Sequence, residues 1–327
     1  MSKKPKKRTF KKKLDKSKTS EYEYHLPVLL KESIDFLVTE KSGYYIDGTL
    51  GGGGHAAEIL ARLDSGGNLT AFDKDPDSIA FIKRKYMDDE PHTPRASFTV
   101  YNDSFTMACS IQENREQLSG LLLDLGVSSK QLDTAGGGLS YRVNSRLDMR
   151  FGPQGQTAEE LLNTASEEEI ARVLHDYGEE PMAKVIARRI AEKRRASTLR
   201  TTFDLRYIVE EIVSPAARFK VLSKVFQALR IAVNNELKEL DYTLTNIVPR
   251  LAPKGRIVVI SYHSLEDRIV KNIFRDISKR TSPEDPAKPV PKLNIITPKP
   301  IIPGREEIKL NPRARSAKMR VAERAED

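Results

Sequence analysis

The sequence predicts an α/β fold: a mostly parallel, Rossmann-like sheet with an all-helical domain inserted into it. Three observations carry this. Short apolar runs at 44–46, 69–72, 98–101 and 121–123 recur at the spacing of strand–helix–strand units, with helical patterns at 56–63 and 76–85 between the first three. A glycine loop, Gly51-Gly52-Gly53-Gly54, separates the first run from its helix, where α/β proteins bring their backbone close to a ligand. Finally, about 130 residues lie between the fourth run and a fifth at 256–260, whereas a strand-to-strand crossover needs only a few tens.

In chain order, the ordered part is expected to begin near Tyr24-His25-Leu26-Pro27 and to enter a short helix at 31–37. The first four strands and their helices follow. The long intervening segment reads as helical: Ser166-Glu167-Glu168-Glu169 has the form of a capping box opening a helix at 167–177. Pro181 starts a basic helix to Arg195, and Thr202 precedes a helix at 203–213. A long amphipathic stretch, 221–248, then returns the chain to the sheet. Residues 281–303 hold seven prolines, which predicts an extended surface segment with room for a short strand at 293–296. The organisation is therefore a tail at 1–20, the first part of the sheet domain at 21–132, an inserted helical domain at 133–232 and the second part of the sheet domain at 233–327.

Composition narrows the class. With 39% apolar residues in 327 the chain can bury a real core. One cysteine, Cys109, and five scattered histidines offer neither a disulfide framework nor repeated metal-ligand spacing, so no metal site is expected. No apolar run approaches the ~20 residues of a membrane helix, and the N-terminus lacks a secretory signal's apolar core; a cytoplasmic protein without membrane contact is expected. The first 20 residues carry ten of the 55 Lys and Arg against Asp15 alone, and so account for the whole net charge of +9. Such a tail cannot bury enough apolar surface to fold, and it suits an electrostatic tether to nucleic acid.

The glycine loop by itself fits two cofactors. Gly51 to Ala56 satisfies the G-x-G-x-x-A form of a dinucleotide fingerprint, and Asp73 stands at the end of the second strand, where it can accept both ribose hydroxyls. An NAD-dependent oxidoreductase is thus one reading. Asp47, just before the loop, argues otherwise: it would repel a pyrophosphate and suits the methionine ammonium of S-adenosyl-L-methionine. Asp124 ends the fourth strand at the same edge, where it can face both cofactor and substrate; a helix N-cap is its bland alternative.

Several longer runs then become specific. Tyr45 to His55, Leu122 to Asp133, Leu147-Asp-Met-Arg150, Leu229 to Asn234, Ser261 to Arg268 and Asn311 to Ser316 together resemble the RsmH (MraW) family over about residues 24–325. The resemblance implies a class I methyltransferase fold and an S-adenosyl-L-methionine-dependent transfer to N4 of a cytidine in the decoding region of small-subunit (16S) ribosomal RNA. It implies cofactor contacts from Gly53, Gly54, His55, Asp73, Phe105, Asp124 and Gln131. The expected partner is 16S rRNA or the small ribosomal subunit; a homodimer stays open. A non-catalytic RNA-binding assembly factor is a third reading, resting on the basic tail.

For the chemistry, the cytosine N4 lone pair is delocalised into the ring, so polar acceptors must favour its nucleophilic form and take up its proton. DNA amino-methyltransferases use an Asp/Asn/Ser-Pro-Pro-aromatic motif after strand four, and here the run is Asp124-Leu125-Gly126-Val127. Asp124 is the candidate catalytic group. His263, after the fifth strand, is a second candidate that could contact the base or assist proton removal; Ser264 with Asp267 reads equally as a helix cap. The expected RNA grip is a basic set on one helix, Lys184, Arg188, Arg189, Lys193, Arg194 and Arg195, with Arg142, Arg146 and Arg150 nearby. A solvated helix face is the ordinary meaning of such a run.

Overall fold

The structure, a computed structural model, describes residues 27–88, 95–111, 117–127, 131–132, 137–279 and 292–326. The basic tail and the Ser128-Ser129-Lys130 segment lie outside the described residues. A seven-stranded sheet runs through the molecule: β1 (Tyr44–Asp47), β2 (Asn68–Phe72), β3 (Ser97–Tyr101), β4 (Leu118–Asp124), β5 (Leu251–Ser261), β6 (Leu293–Ile295) and β7 (Lys318–Arg324). Their order is β3-β2-β1-β4-β5-β7-β6. Neighbours from β3 to β5 pair in parallel, while β7 pairs antiparallel with both β5 and β6. This is the class I methyltransferase order.

Alternation along the central strands explains why both faces are covered. Tyr45, Leu122, Val258 and Ile260 enter one core. That core is closed by α1 (Leu30–Leu37), α2 (Gly54–Arg62) and α3 (Pro76–Lys83). Tyr44, Ile46, Leu121, Leu123, Ile257 and Val259 enter the other. Side chains that point alternately up and down a strand need apolar cover on both sides when the strand is central.

Between β4 and β5 come α4 (Ala158–Thr164), α5 (Glu167–Asp176), α6 (Ala183–Ala196), α7 (Thr202–Ile212), α8 (Arg218–Asn234) and α9 (Glu236–Asn246). The first five share a third apolar cluster running from Leu139 to Leu229. Full capping boxes open α4 (Thr157 with Glu160) and α7 (Thr201 with Asp204), while Ser166 caps α5 by accepting from Glu169 N. The 221–248 stretch is not one helix. It breaks at Asn235, which takes the left-handed conformation at φ 53°. The reason is packing: Val221 to Leu229 bury into the helical cluster, whereas Leu240, Leu244 and Ile247 bury against the sheet, and Asn tolerates the left-handed turn between them.

After β5, α10 (Ser264–Ser278) packs under the sheet, and α11 (Arg305–Leu310) precedes β7. The cap of α10 differs from the expected Ser264/Asp267 pair. His263 is the N-cap, its side chain accepting from Glu266 N, and the Glu266 carboxylate accepts from Tyr262 N and His263 N. Asp267 instead holds Arg320 of β7 (2.7 Å), and Ser264 Oγ donates to Glu179 (2.8 Å). Among the described residues no helix is long and apolar enough to cross a membrane, and no cluster of three or more His, Cys, Asp or Glu could hold a metal ion.

Candidate active site

β1 and β4 are neighbours in the sheet but not in sequence, and the crevice beyond their carboxyl ends is the switch point where open α/β sheets take ligands. A cavity of about 760 Å3 opens there. It is lined by Gly54, His55, Asp73, Phe105, Asp124, Gln131 and His263, and so gathers nearly all the residues singled out in the sequence. Gly53 stands outside the lining. It is the N-cap of α2 at φ +75°, and a Cβ on it would come within 2.3 Å of Ile82 Cδ1. Its role is to let the loop turn into the helix. Asp47 is also outside the lining, fully buried beneath the cavity rather than facing into it.

The loop is tied to the strand ends around it. Gly48 N donates to Leu122 O, Leu50 N to Phe72 O, and Gly51 N to Asp73 Oδ2 (2.7 Å). Asp73 Oδ1 also accepts from Asp75 N, so this carboxylate holds the loop and α3 as well as facing the cavity. Phe105 opens a short 3-10 helix, Phe105–Cys109, capped by Ser104. Its Cβ stands where a side chain on Gly48 would collide, at 2.8 Å. Gln131 Nε2 reaches Asp75 Oδ2 at 3.5 Å.

Three carboxylates crowd this edge, and burial raises all of them. Asp47 and Asp124 are pushed up to about 7 and Asp73 to about 6, with burial the main cause; repulsion adds to it, from Asp73 at Asp47, from Asp47 and Glu266 at Asp124, and from Asp75 at Asp73. Asp47 Oδ1 accepts from Thr49 N, but Oδ2 has no hydrogen-bond partner among the described residues. Concentrated, poorly compensated acid favours a cationic ligand and disfavours a polyanion. It also has a cost in the ligand-free protein. A carboxyl whose folded pKa lies above its ordinary 3.8 contributes full stability below that value and loses it as pH rises to about 7. Asp47→Asn is therefore expected to raise the unfolding midpoint of the ligand-free protein at pH 8, less at pH 5, and not at all below about pH 4. Thermal denaturation at the three pH values checks this.

Asp124 is the most elaborately placed of the three. Its backbone N donates to Thr49 Oγ1 (2.6 Å), its Oδ1 accepts from Tyr262 Oη (2.8 Å), and its Oδ2 lies 3.6 Å from His55 Nδ1. His55 is buried, which lowers its pKa to about 4, so the imidazole is neutral and this contact is not an ion pair. Its Nε2 faces the Val28 carbonyl at 3.3 Å, an acceptor only, which assigns the ring proton to Nε2 and leaves Nδ1 bare toward Asp124. Tyr262, whose phenol is raised well above its ordinary value by burial and by Asp124, is a neutral donor. The plain N-cap reading of Asp124 does not account for these contacts.

His263 lines the cavity, yet its ring is turned to Glu266. Nδ1 accepts from Glu266 N at 3.4 Å, and Nε2 lies 3.2 Å from Glu266 Oε1. The remaining wall comes from the segment between α8 and α9. Arg230 pairs with Glu236 through two contacts, Nε to Oε1 (2.8 Å) and Nη2 to Oε2 (3.0 Å). Lys74 Nζ meets Glu239 at 2.6 Å, and Ser104 Oγ donates to the other oxygen of Glu239 (2.9 Å). Arg313 and Arg315 complete the mouth. Sequence reasoning left Tyr262, Arg230 and the two mouth arginines without roles, although each lies inside one of the family-like runs.

The basic helix is partly engaged by the protein itself. Arg189 and Lys193 of α6 are held by Glu211 (2.7 and 2.8 Å), Arg189 also by Glu192, and Arg194 donates to Leu162 O. Arg146 and Arg150 pair with Glu159 and Asp148. None of the six helix cations lines the cavity.

Comparison with known proteins agrees with the geometry. The chain is 42% identical over 311 residues to the Ribosomal RNA small subunit methyltransferase H of Halothermothrix orenii, covering 92% of this chain and 98% of that one. It is 43% identical over 318 residues to the protein of the same name from Heliobacterium mobile, covering 92% and 99%. To that of an Azoarcus species it is 44% identical over 319 residues, covering 92% and 96%. With a family model matched from residue 22 to residue 325, over the sheet, the cavity and the helices between β4 and β5 alike, the chain belongs to the MraW methylase family.

Proposed function

We propose that this methyltransferase moves the methyl group of S-adenosylmethionine to N4 of a cytidine in the decoding region of small-subunit (16S) ribosomal RNA. The observation that carries this reading is the switch-point cavity with Asp73 and Asp124 in its lining and Asp47 buried beneath it, at the ends of β2, β4 and β1. That donor set fits a ligand bearing an ammonium and a sulfonium. The same charges would repel the pyrophosphate of NAD, and a methylase family leaves no place for the oxidoreductase reading. It likewise leaves none for a non-catalytic factor. The relatives' names supply the RNA.

In this reading Asp73 takes the ribose hydroxyls, Phe105 packs on the adenine, and Gly53, Gly54 and His55 shape the loop and the start of α2. Gln131 closes the cofactor side. S-adenosylmethionine, when bound, would supply an electrophilic methyl carbon for in-line displacement, with its sulfur leaving as a neutral thioether. Asp124 accepts the proton that N4 gives up as the N–C bond forms, and Tyr262 holds the carboxylate in position through Oδ1. His263 is a positioning residue, since its ring fixes the turn that carries Tyr262.

The test is direct. The protein is incubated with labelled S-adenosylmethionine and small subunits lacking this modification, and the RNA is digested to nucleosides. One N4-methylated cytidine is expected; label on another base, or none on any RNA, would overturn the proposal.

A further inference from the structure

None of the six α6 cations lines the cavity, and Arg189, Lys193 and Arg194 are engaged by the protein itself, so the surface that holds the substrate strand beside the site is to be sought elsewhere. One face of α8 offers it. Phe219, Ser223, Gln227 and Arg230 fall on one side of this helix at spacings of four, four and three. It is the side left uncovered: Phe219 is 62% exposed, Ser223 is exposed, and Gln227 and Arg230 are partly exposed. Gln227 and Arg230 line the cavity, so the face runs continuously from the site outward. From Arg230 to Phe219 is eleven residues, or about 16 Å of helix.

The outer end of this face is built from rings. Tyr141 sits over it, its hydroxyl 3.1 Å from Ser223 Oγ, with its ring 6.5 Å from Phe219 and 5.6 Å from Phe226. The guanidinium of Arg142 lies over the Tyr141 ring at 5.8 Å; Arg142 is exposed and enters no ion pair among the described residues. An exposed phenylalanine beside a tyrosine and an uncompensated arginine is poorly suited to water. It suits a chain of flat, apolar rings strung on an anionic backbone.

We propose that this track, Phe219–Tyr141–Arg142 leading to Gln227 and Arg230, is the seat of the single-stranded nucleotides that flank the target cytidine, with at least one base stacked on Phe219 or Tyr141. The proposal rests on the RNA-methylation reading of the cavity. Its physical logic is that a paired cytosine hides N4, so the strand must be unstacked to reach the site. Aromatic rings beside the cavity replace the stacking that the neighbouring bases lose. Arg142 meets a phosphate or a further base face.

Three substitutions separate this occupant from others: Phe219→Ala, Phe219→Leu and Phe219→Trp. Because Phe219 is exposed, the fold is expected to persist, and thermal denaturation verifies it. Two readouts are taken: anisotropy of a labelled single-stranded RNA matching the target region, and methyl transfer to small subunits lacking the modification. Phe219→Ala is expected to weaken RNA binding and raise KM for the subunit about 5-fold to 100-fold, the usual effect of one lost base stack, with kcat and S-adenosylmethionine affinity little changed. Phe219→Trp should restore both, and Phe219→Leu should resemble Phe219→Ala. A Phe219→Ala variant within twofold of wild type in both readouts overturns the proposal. So does a fully active Phe219→Leu variant, which would mark an apolar docking patch for a protein. Wild-type protein that binds the RNA through Phe219 but transfers no methyl would overturn the function proposed for the cavity and leave the track standing.

Discussion

Replacing Asp124 by Asn is expected to lower kcat for methyl transfer by about 100-fold or more at saturating cofactor. The amide keeps the volume and can still accept from Tyr262 Oη, but it cannot take a proton from N4. Wild-type kcat/KM should rise with pH through an inflection near 7, because the carboxyl must be ionised to accept and burial has raised it to about 7. That inflection belongs to the coupled carboxylates at this edge rather than to Asp124 alone. In kcat, which reports the complex, the inflection should lie lower, since a bound cation favours the ionised form. Tyr262→Phe separates positioning from chemistry. Loss of the 2.8 Å hydrogen bond removes an influence that lowers the Asp124 pKa, so the kcat/KM inflection should move up, with kcat falling roughly 10-fold. A pH–rate profile that is flat from pH 5 to 9 in the wild type would refute Asp124 as the proton acceptor.

The second large effect concerns stability. Arg230→Met is expected to destabilise the protein by about 3 kcal/mol at pH 8, read from denaturant unfolding. Arg230 and Glu236 are only 14% and 11% exposed, and their two contacts span the Asn235 break, clamping the end of α8 to the start of α9. Removing the guanidinium strands a carboxylate out of water. The stranded acid then has a folded pKa above its ordinary value, so the loss should shrink as pH falls toward 5. The double variant Arg230→Met/Glu236→Leu should recover most of the stability, because replacing both members of such a pair by apolar groups costs far less than replacing one. Equal destabilisation by the single and double variants would show that the pair does not hold the break.

Some of this architecture was legible from residues and some was not. The first five strands are apolar runs whose neighbours in sequence are helices, and their positions follow from pattern alone. β7 is different: Lys318-Met-Arg-Val-Ala-Glu-Arg324 reads as a charged segment, yet Arg320 and Arg324 are buried. Arg320 is held by Asp267, and Arg324 donates to the Leu251 carbonyl. Charges become strand-compatible only when partners from distant elements neutralise them, and no local window contains those partners. The break at Asn235 was hidden for a related reason, since apolar periodicity continues through it while the two halves serve different cores.

The candidate site divides in the same way. The glycine loop, Asp73 and Asp124 were readable because each stands at a strand end, and the strand ends of a parallel sheet converge at one edge whatever the rest of the chain does. The sequence by itself therefore determined the sheet, its ligand edge and the acids placed there. What only the tertiary structure decided is how those acids behave: Asp47 buried with an unpartnered oxygen, Asp124 between Tyr262 and a neutral His55, and His263 turned to cap α10. Burial and pairing in the site depend on groups up to 165 residues apart in the chain, as Lys74 and Glu239 are, so the charge state of the site is a property of the fold rather than of any motif.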